Sequence, residues 1–150
     1  MSIAAYPVYP LLQRQQQASS HYQEMEITTA DPFELVLILY RGAIQKLKSS
    51  LDCFGADCIE QRINKINKAG AMIGELQSTL DFERGQQIAL SLGRLYAYML
   101  QRLLEANLQQ DPSAVEEVIK LLQTLASAWQ EVQALNAQQH LDSERIELSA

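Results

Sequence analysis

The sequence predicts an all-α protein: an antiparallel up-down four-helix bundle with a flexible N-terminal segment and an optional short C-terminal helix. Apolar residues recur at helical spacing in four stretches between about residue 31 and residue 135. Strong helix-start patterns precede several of them, and the links are short, which favours antiparallel neighbours. At 150 residues the chain has the size of one domain, large enough to close a core without disulfides or metals.

The first start signal is Asp31-Pro32-Phe33-Glu34, an N-cap acceptor, a proline at the first helical position and a glutamate placed for a capping box. Helix 1 follows on Val36, Tyr40, Ala43, Ile44, Leu47 and Leu51, with Gly55 as its stop. Asp57-x-x-Glu60 is expected to cap helix 2. Its stripe is Ile59, Ile63, Ile66, Gly70, Ile73 and Leu80, with Asn64, Lys65, Asn67 and Lys68 turned outward. The break at Asp81 to Gly85 precedes helix 3, whose stripe is Ile88, Leu92, Leu95, Met99, Leu103 and Ala106. Asp111-Pro112 opens helix 4, which carries Val115, Val118, Leu122, Leu125, Trp129 and Val132 and is expected to end near Leu135. Residues 1–21 are turn-rich and then polar, so they are read as a flexible tail. The bundle then spans residues 22–136, and 137–150 form a C-terminal tail.

Composition narrows the function. A net charge of −6 opposes binding to nucleic acid or to anionic membrane surfaces. No apolar run approaches the ~20 residues that cross a bilayer, and Pro7 and Pro10 interrupt any signal-peptide core, so a cytoplasmic protein is expected. Cys53 and Cys58 match neither a C-x-x-C redox pair nor a zinc pattern and are expected to be reduced thiols. His21 and His140 fall in the expected tails, where no catalytic geometry can hold them. Inward Glu-x-x-His pairs, phosphate-cradling loops and nucleophile elbows are missing from the sequence. Glu116 and Glu117 are adjacent, so they point about 100° apart and are explained by the helix dipole and solvation. An enzyme is not expected, nor a metal or other cofactor.

Two helices carry more apolar surface than a bundle needs. Helix 1 is apolar on every face from Phe33 to Tyr40, which includes Leu35 and Leu39. Helix 3 adds Leu90, Tyr96, Tyr98, Leu100, Leu104 and Leu108 outside its stripe. Gly42, Gly70, Gly74 and Gly93 inside helices each cost about 1 kcal/mol against alanine, and Gly70, Gly74 and Gly93 would floor a shallow trough between helices 2 and 3. Ordinary packing, by tails or within the bundle, accounts for the same residues, and Tyr40, Tyr96 and Trp129 are expected first as core anchors. A partner polypeptide and a homodimer through the extra faces both remain open.

Several stretches in one order resemble the flagellin export chaperone family, FliS. These are Tyr22-Gln23, Thr29 through Ile44, Glu75-Leu76 with Leu80-Asp81, Leu92-Gly93-Arg94-Leu95-Tyr96-Ala97-Tyr98-Met99, Leu103-Leu104-Glu105-Ala106-Asn107, and Glu116-Glu117-Val118 through Trp129. The likeness spans about residues 22–132, and the leader before it is longer than the family pattern. The resemblance implies a non-catalytic cytoplasmic chaperone that binds the disordered C-terminal segment of flagellin and prevents premature polymerisation. It also implies delivery to the export gate of the flagellar type III secretion apparatus, with a cochaperone or regulator as a further partner. It places partner contacts at Tyr22, at a displaceable cap containing Met25 and Ile27, at Leu35 and Leu39, and at Tyr96, Leu103, Leu104 and Asn107. On that reading Tyr96→Ala and Leu103→Glu weaken client binding. The alternative is a self-associating structural or adaptor bundle.

Overall fold

A proline at a first helical position gives up a donor that has no helical acceptor, and an aspartate before it supplies an acceptor for the next free donors. The structure, a computed structural model, describes residues 32–149. Its helices are α1 (Pro32–Ser50), α2 (Ile59–Ser78), α3 (Phe82–Gln109) and α4 (Pro112–Leu148), with 3₁₀ turns at Leu51–Cys53 and Ala56–Cys58. Asp111 caps α4 as the sequence predicts, accepting from the Ser113 backbone N–H at 2.9 Å. Asp81 caps α3, accepting from the backbone N–H groups of Glu83 and Arg84 at 3.1 Å. The Asp31 cap, the leader and His21 lie outside the described residues.

Four boundaries differ from expectation, one of them the start of α3, which begins at Phe82 inside the expected break, its backbone leaving helical geometry at Gln86 (φ 44°). Helix α1 ends at Ser50, whose hydroxyl turns back onto the Leu47 carbonyl at 2.7 Å, and the chain tightens into 3₁₀ before Gly55 is reached. The Asp57-x-x-Glu60 box does not form, because Asp57 is wound into the second 3₁₀ turn and α2 starts at Ile59 without a side-chain cap. Helix α4 continues past Leu135 to Leu148, since nothing after Pro112 in its sequence is a glycine or proline and strong helix formers fill the segment. His140 therefore sits on a helix, and every residue from Ala134 to Ser149 is exposed.

Packing within the unit Val36–Ala150 follows the expected order, with α2 against α3 and α3 against α4. The core is Leu37, Leu39, Tyr40, Ala43 and Leu47 of α1; Ile66, Ala69, Ile73 and Leu76 of α2; Ala89, Tyr96, Met99, Leu103 and Ala106 of α3; and Ala114, Val115, Val118, Ile119 and Leu122 of α4. The expected stripes are rotated on two helices. On α2, Ile59 and Ile63 are exposed while Arg62 is buried; on α3, Ile88 is exposed and Tyr96 takes a core position. The end of the Met72 side chain of α2 packs over Gly42 of α1, its Sδ lying 2.9 Å from where a Cβ would stand.

At the centre, the Tyr40 and Tyr96 hydroxyls are 2.5 Å apart and both rings are buried. The Trp129 indole N–H donates to the Tyr40 hydroxyl, so one hydrogen-bonded chain joins α1, α3 and α4. Burial raises the Tyr40 pKa; for Tyr96 burial and the bond to Tyr40 both raise it, so the chain stays neutral. We expect Tyr96→Phe to lower stability by about 1–2 kcal/mol. Tyr40→Phe, which strands both the Tyr96 hydroxyl and the Trp129 N–H, should cost more, as read from denaturant midpoints. Equal costs would show that Trp129 takes no part.

Candidate functional site

Helix α3 separates two unlike seams. Toward α4 it carries Tyr98 and Arg102, one turn apart. Both reach Glu117: the Tyr98 hydroxyl donates to one carboxylate oxygen, and the Arg102 Nε–H donates to the other at 2.9 Å. Arg102 also pairs with Glu105 at 2.5 Å. The tyrosine and guanidinium bonds hold the Glu117 carboxyl below its usual range, and the same carboxylate raises the Tyr98 pKa. Glu117 thus clasps α3 to α4, a role beyond the dipole and solvation expected for it, while Glu116 is exposed.

Toward α2 the surface is apolar. Leu90, Ala97, Leu104 and Leu108 recur at helical spacing on one exposed face of α3, running about 27 Å at 1.5 Å per residue. Leu104 is 59% exposed and Leu108 74%. Beside this stripe Leu100 lies over Gly70, 3.6 Å from where a Cβ would stand. Ile59 and Ile63 are exposed on α2, and the space beside Gly74 is open. The two helices therefore border an apolar trough; of the glycines expected on its floor only Gly74 is open, since Leu100 covers Gly70. Gly93 is not part of its floor, being covered by Leu80 and Phe82 at 3.5 and 3.8 Å.

The predicted contact residues divide sharply. Leu104 is open in the trough. Tyr96 and Leu103 are 2% and 3% exposed and belong to the core, so they are not free to meet a partner, and substituting them tests the fold. Leu39 is buried and Leu35 half-buried, and Leu37 is buried as well, so the apolar excess of α1 is largely covered. Asn107 is half-buried, its Oδ1 enclosed without a hydrogen-bond partner. Tyr22, Met25 and Ile27 lie outside the described residues. Ile59, Ile63 and Leu108 complete the trough; reading α2 with the core on Arg62, Ile66 and Ala69 would have turned the first two outward.

The description "Flagellar protein FliS" matches residues 14–136 of the chain. The chain belongs to the FliS family. The flagellar secretion chaperone FliSB of Pseudomonas aeruginosa is 37% identical over 106 residues, covering 71% of this chain and 84% of the relative. The flagellar secretion chaperones FliS of Salmonella typhimurium and Escherichia coli are 36% and 38% identical over 110 and 111 residues, 73% and 72% of this chain and 82% and 80% of the relatives. The FliS match takes in all of α1, α2 and α3 and ends within α4, close to where that helix leaves the core. Among the described residues no helix is long and apolar enough to cross a membrane, and no three His, Cys, Asp or Glu side chains gather as a metal site.

The clasp gives a pH prediction. A carboxyl with a lowered folded pKa contributes stability above its unfolded value near 4.5 and loses it as pH falls through the folded value. Glu117→Gln should be less stable than the parent at pH 7, and its stability should fall less steeply than the parent's below pH 4.5, as followed by thermal melts across pH. Parallel pH profiles for the two proteins would count against the clasp.

Proposed function

We propose that this chain is a cytoplasmic export chaperone that holds the disordered C-terminal segment of flagellin in the trough between α2 and α3. By doing so it keeps the subunit from polymerising and delivers it to the flagellar type III export apparatus. The exposed apolar stripe Leu90, Ala97, Leu104 and Leu108, set beside Ile59 and Ile63, is the observation that carries this reading. An apolar surface of this length matches an amphipathic helix laid into a groove, in which residues three and four apart on the guest fill the trough. The names of the relatives, flagellar secretion chaperones, supply the kind of guest.

The energetics fit a carrier that must also release. A disordered client loses conformational entropy when it is ordered, so burial of its apolar face has to exceed that cost. Since the trough is shallow, the surplus is moderate and the guest remains removable. The polar clasp on the opposite flank of α3 keeps α4 in place whether or not the trough is filled.

Calorimetric titration with a peptide from the C-terminal segment of the same organism's flagellin should show one-to-one binding with a negative heat-capacity change. Leu104→Glu should fold normally and bind at least about tenfold more weakly, because it sets a charge in the apolar contact. Leu103→Glu should instead fail to fold, its position being in the core. A folded parent that binds no such peptide, yet dimerises as concentration rises, would replace this reading with self-association.

A further inference from the structure

The flank of α2 turned toward α1 carries charge where the flank turned toward α3 carries Ile59 and Ile63. Two contacts tie this flank to α1. Met72 lies over Gly42, its Sδ 2.9 Å from where a Cβ would stand, and the Lys65 ammonium donates to the Ser49 carbonyl at 3.5 Å. Gly42 to Ser49 is a step of seven residues, and so is Met72 back to Lys65, so the two helices run antiparallel and in step between these contacts. Lys46 and Lys68 fall between them. Lys46 stands four residues after Gly42 and three before Ser49, and Lys68 stands four before Met72 and three after Lys65. Residues at those spacings share one face of a helix, so Lys46, Lys65 and Lys68 line the same seam.

Their charge is not balanced within the seam. The ion pairs among the described residues include none of the three, and the acceptors of Lys65 are the Ser49 carbonyl and the Cys53 sulfur, 3.6 Å away. Glu75, the next acid along this flank of α2, lies seven residues beyond Lys68, about 10 Å along the helix. Lys46 and Lys65 are half-buried, so their stems lie along the seam while their ammonium groups add to one local field. In a chain of net charge −6 this is a reversal of sign.

We propose that the α1 and α2 seam is a docking surface for an acidic polypeptide segment, separate from the trough. Carboxylates spaced along such a segment pair with Lys46, Lys65 and Lys68, and the half-buried Met72 at the end of the row offers an apolar contact that an isolated phosphate cannot use. Duplex nucleic acid or an anionic membrane would bring its charge up to the whole negative surface, whereas a short segment laid in the seam meets the local cations. The seam and the trough lie on different flanks of α2, so both can be filled at once.

Titration of the full chain with a fluorescent glutamate-rich peptide containing leucine tests this by anisotropy. The parent should bind at low salt and release the peptide as salt rises. Lys46→Gln combined with Lys68→Gln should bind about tenfold more weakly, and the exposed Lys68→Gln alone, which keeps the test open should the pair not fold, about threefold. Lys48→Gln with Lys120→Gln removes the same charge from exposed positions off the seam and should bind within about twofold of the parent. The flagellin C-terminal peptide should bind all these variants as it binds the parent. Equal losses in seam and control variants would show that net charge is read, and would overturn the docking surface. A parent that prefers the all-glutamine version of the peptide, short duplex DNA or anionic vesicles overturns it as well. A seam variant that loses the flagellin peptide while staying folded overturns the separation from the trough.

Discussion

The buried hydrogen-bonded chain from Tyr96 through Tyr40 to Trp129 sets what the rest of the bundle can do. Aliphatic stripes allow helices to slide and rotate against one another at small cost, whereas a hydroxyl pair in an apolar core has one arrangement that leaves nothing unsatisfied. With α1, α3 and α4 fixed at this level, α3 has a single rotation about its axis. Its inward positions are then Tyr96, Met99 and Leu103, one flank presents Tyr98 and Arg102 to Glu117, and the other presents Leu100 to Gly70. The exposed stripe is a consequence of that rotation, since among the described residues no helix covers Leu104 and Leu108.

The proposed carrier role needs one exposed apolar face and no more. Had the apolar excess of α1 been open too, the empty protein would expose two adhesive faces; with Leu37 and Leu39 buried, the exposed stripe beside the core lies on α3. The flanking chemistry is asymmetric as well. Salt screens the partly exposed Arg102 and Glu117 pair, while it leaves apolar burial in the trough nearly untouched. Ionic strength should therefore act more on the α3 and α4 seam than on the grip on a client.

The helix count, their order and the Asp111-Pro112 start were legible because each depends on a local signal. Rotation about a helix axis is not local. Ile59 and Ile63 fit the period of a core stripe as well as Ile66 does, and the choice between them is made by Arg62, a residue whose type argues for the surface and whose environment holds it inside. Tyr96 fits both a core anchor and, by family resemblance, a partner contact, and its hydroxyl's partner Tyr40, 56 residues earlier, decides for the core. Polar composition after Leu135 is not a stop signal: with no glycine or proline in the segment, α4 runs on to Leu148.

The same reasoning applies to the faces left exposed. Core residues of a bundle are found by period, but a binding face is the part of the period left over after every helix has a neighbour, so it can be read only once the rotations are known. On α3 the leftover is Leu90, Ala97, Leu104 and Leu108; on α2 it is Ile59 and Ile63. Family resemblance points to Leu103 and Leu104 together because both match the helix 3 pattern, and the fold separates them by about a quarter turn. That quarter turn divides a residue that holds the bundle from one left open on its surface.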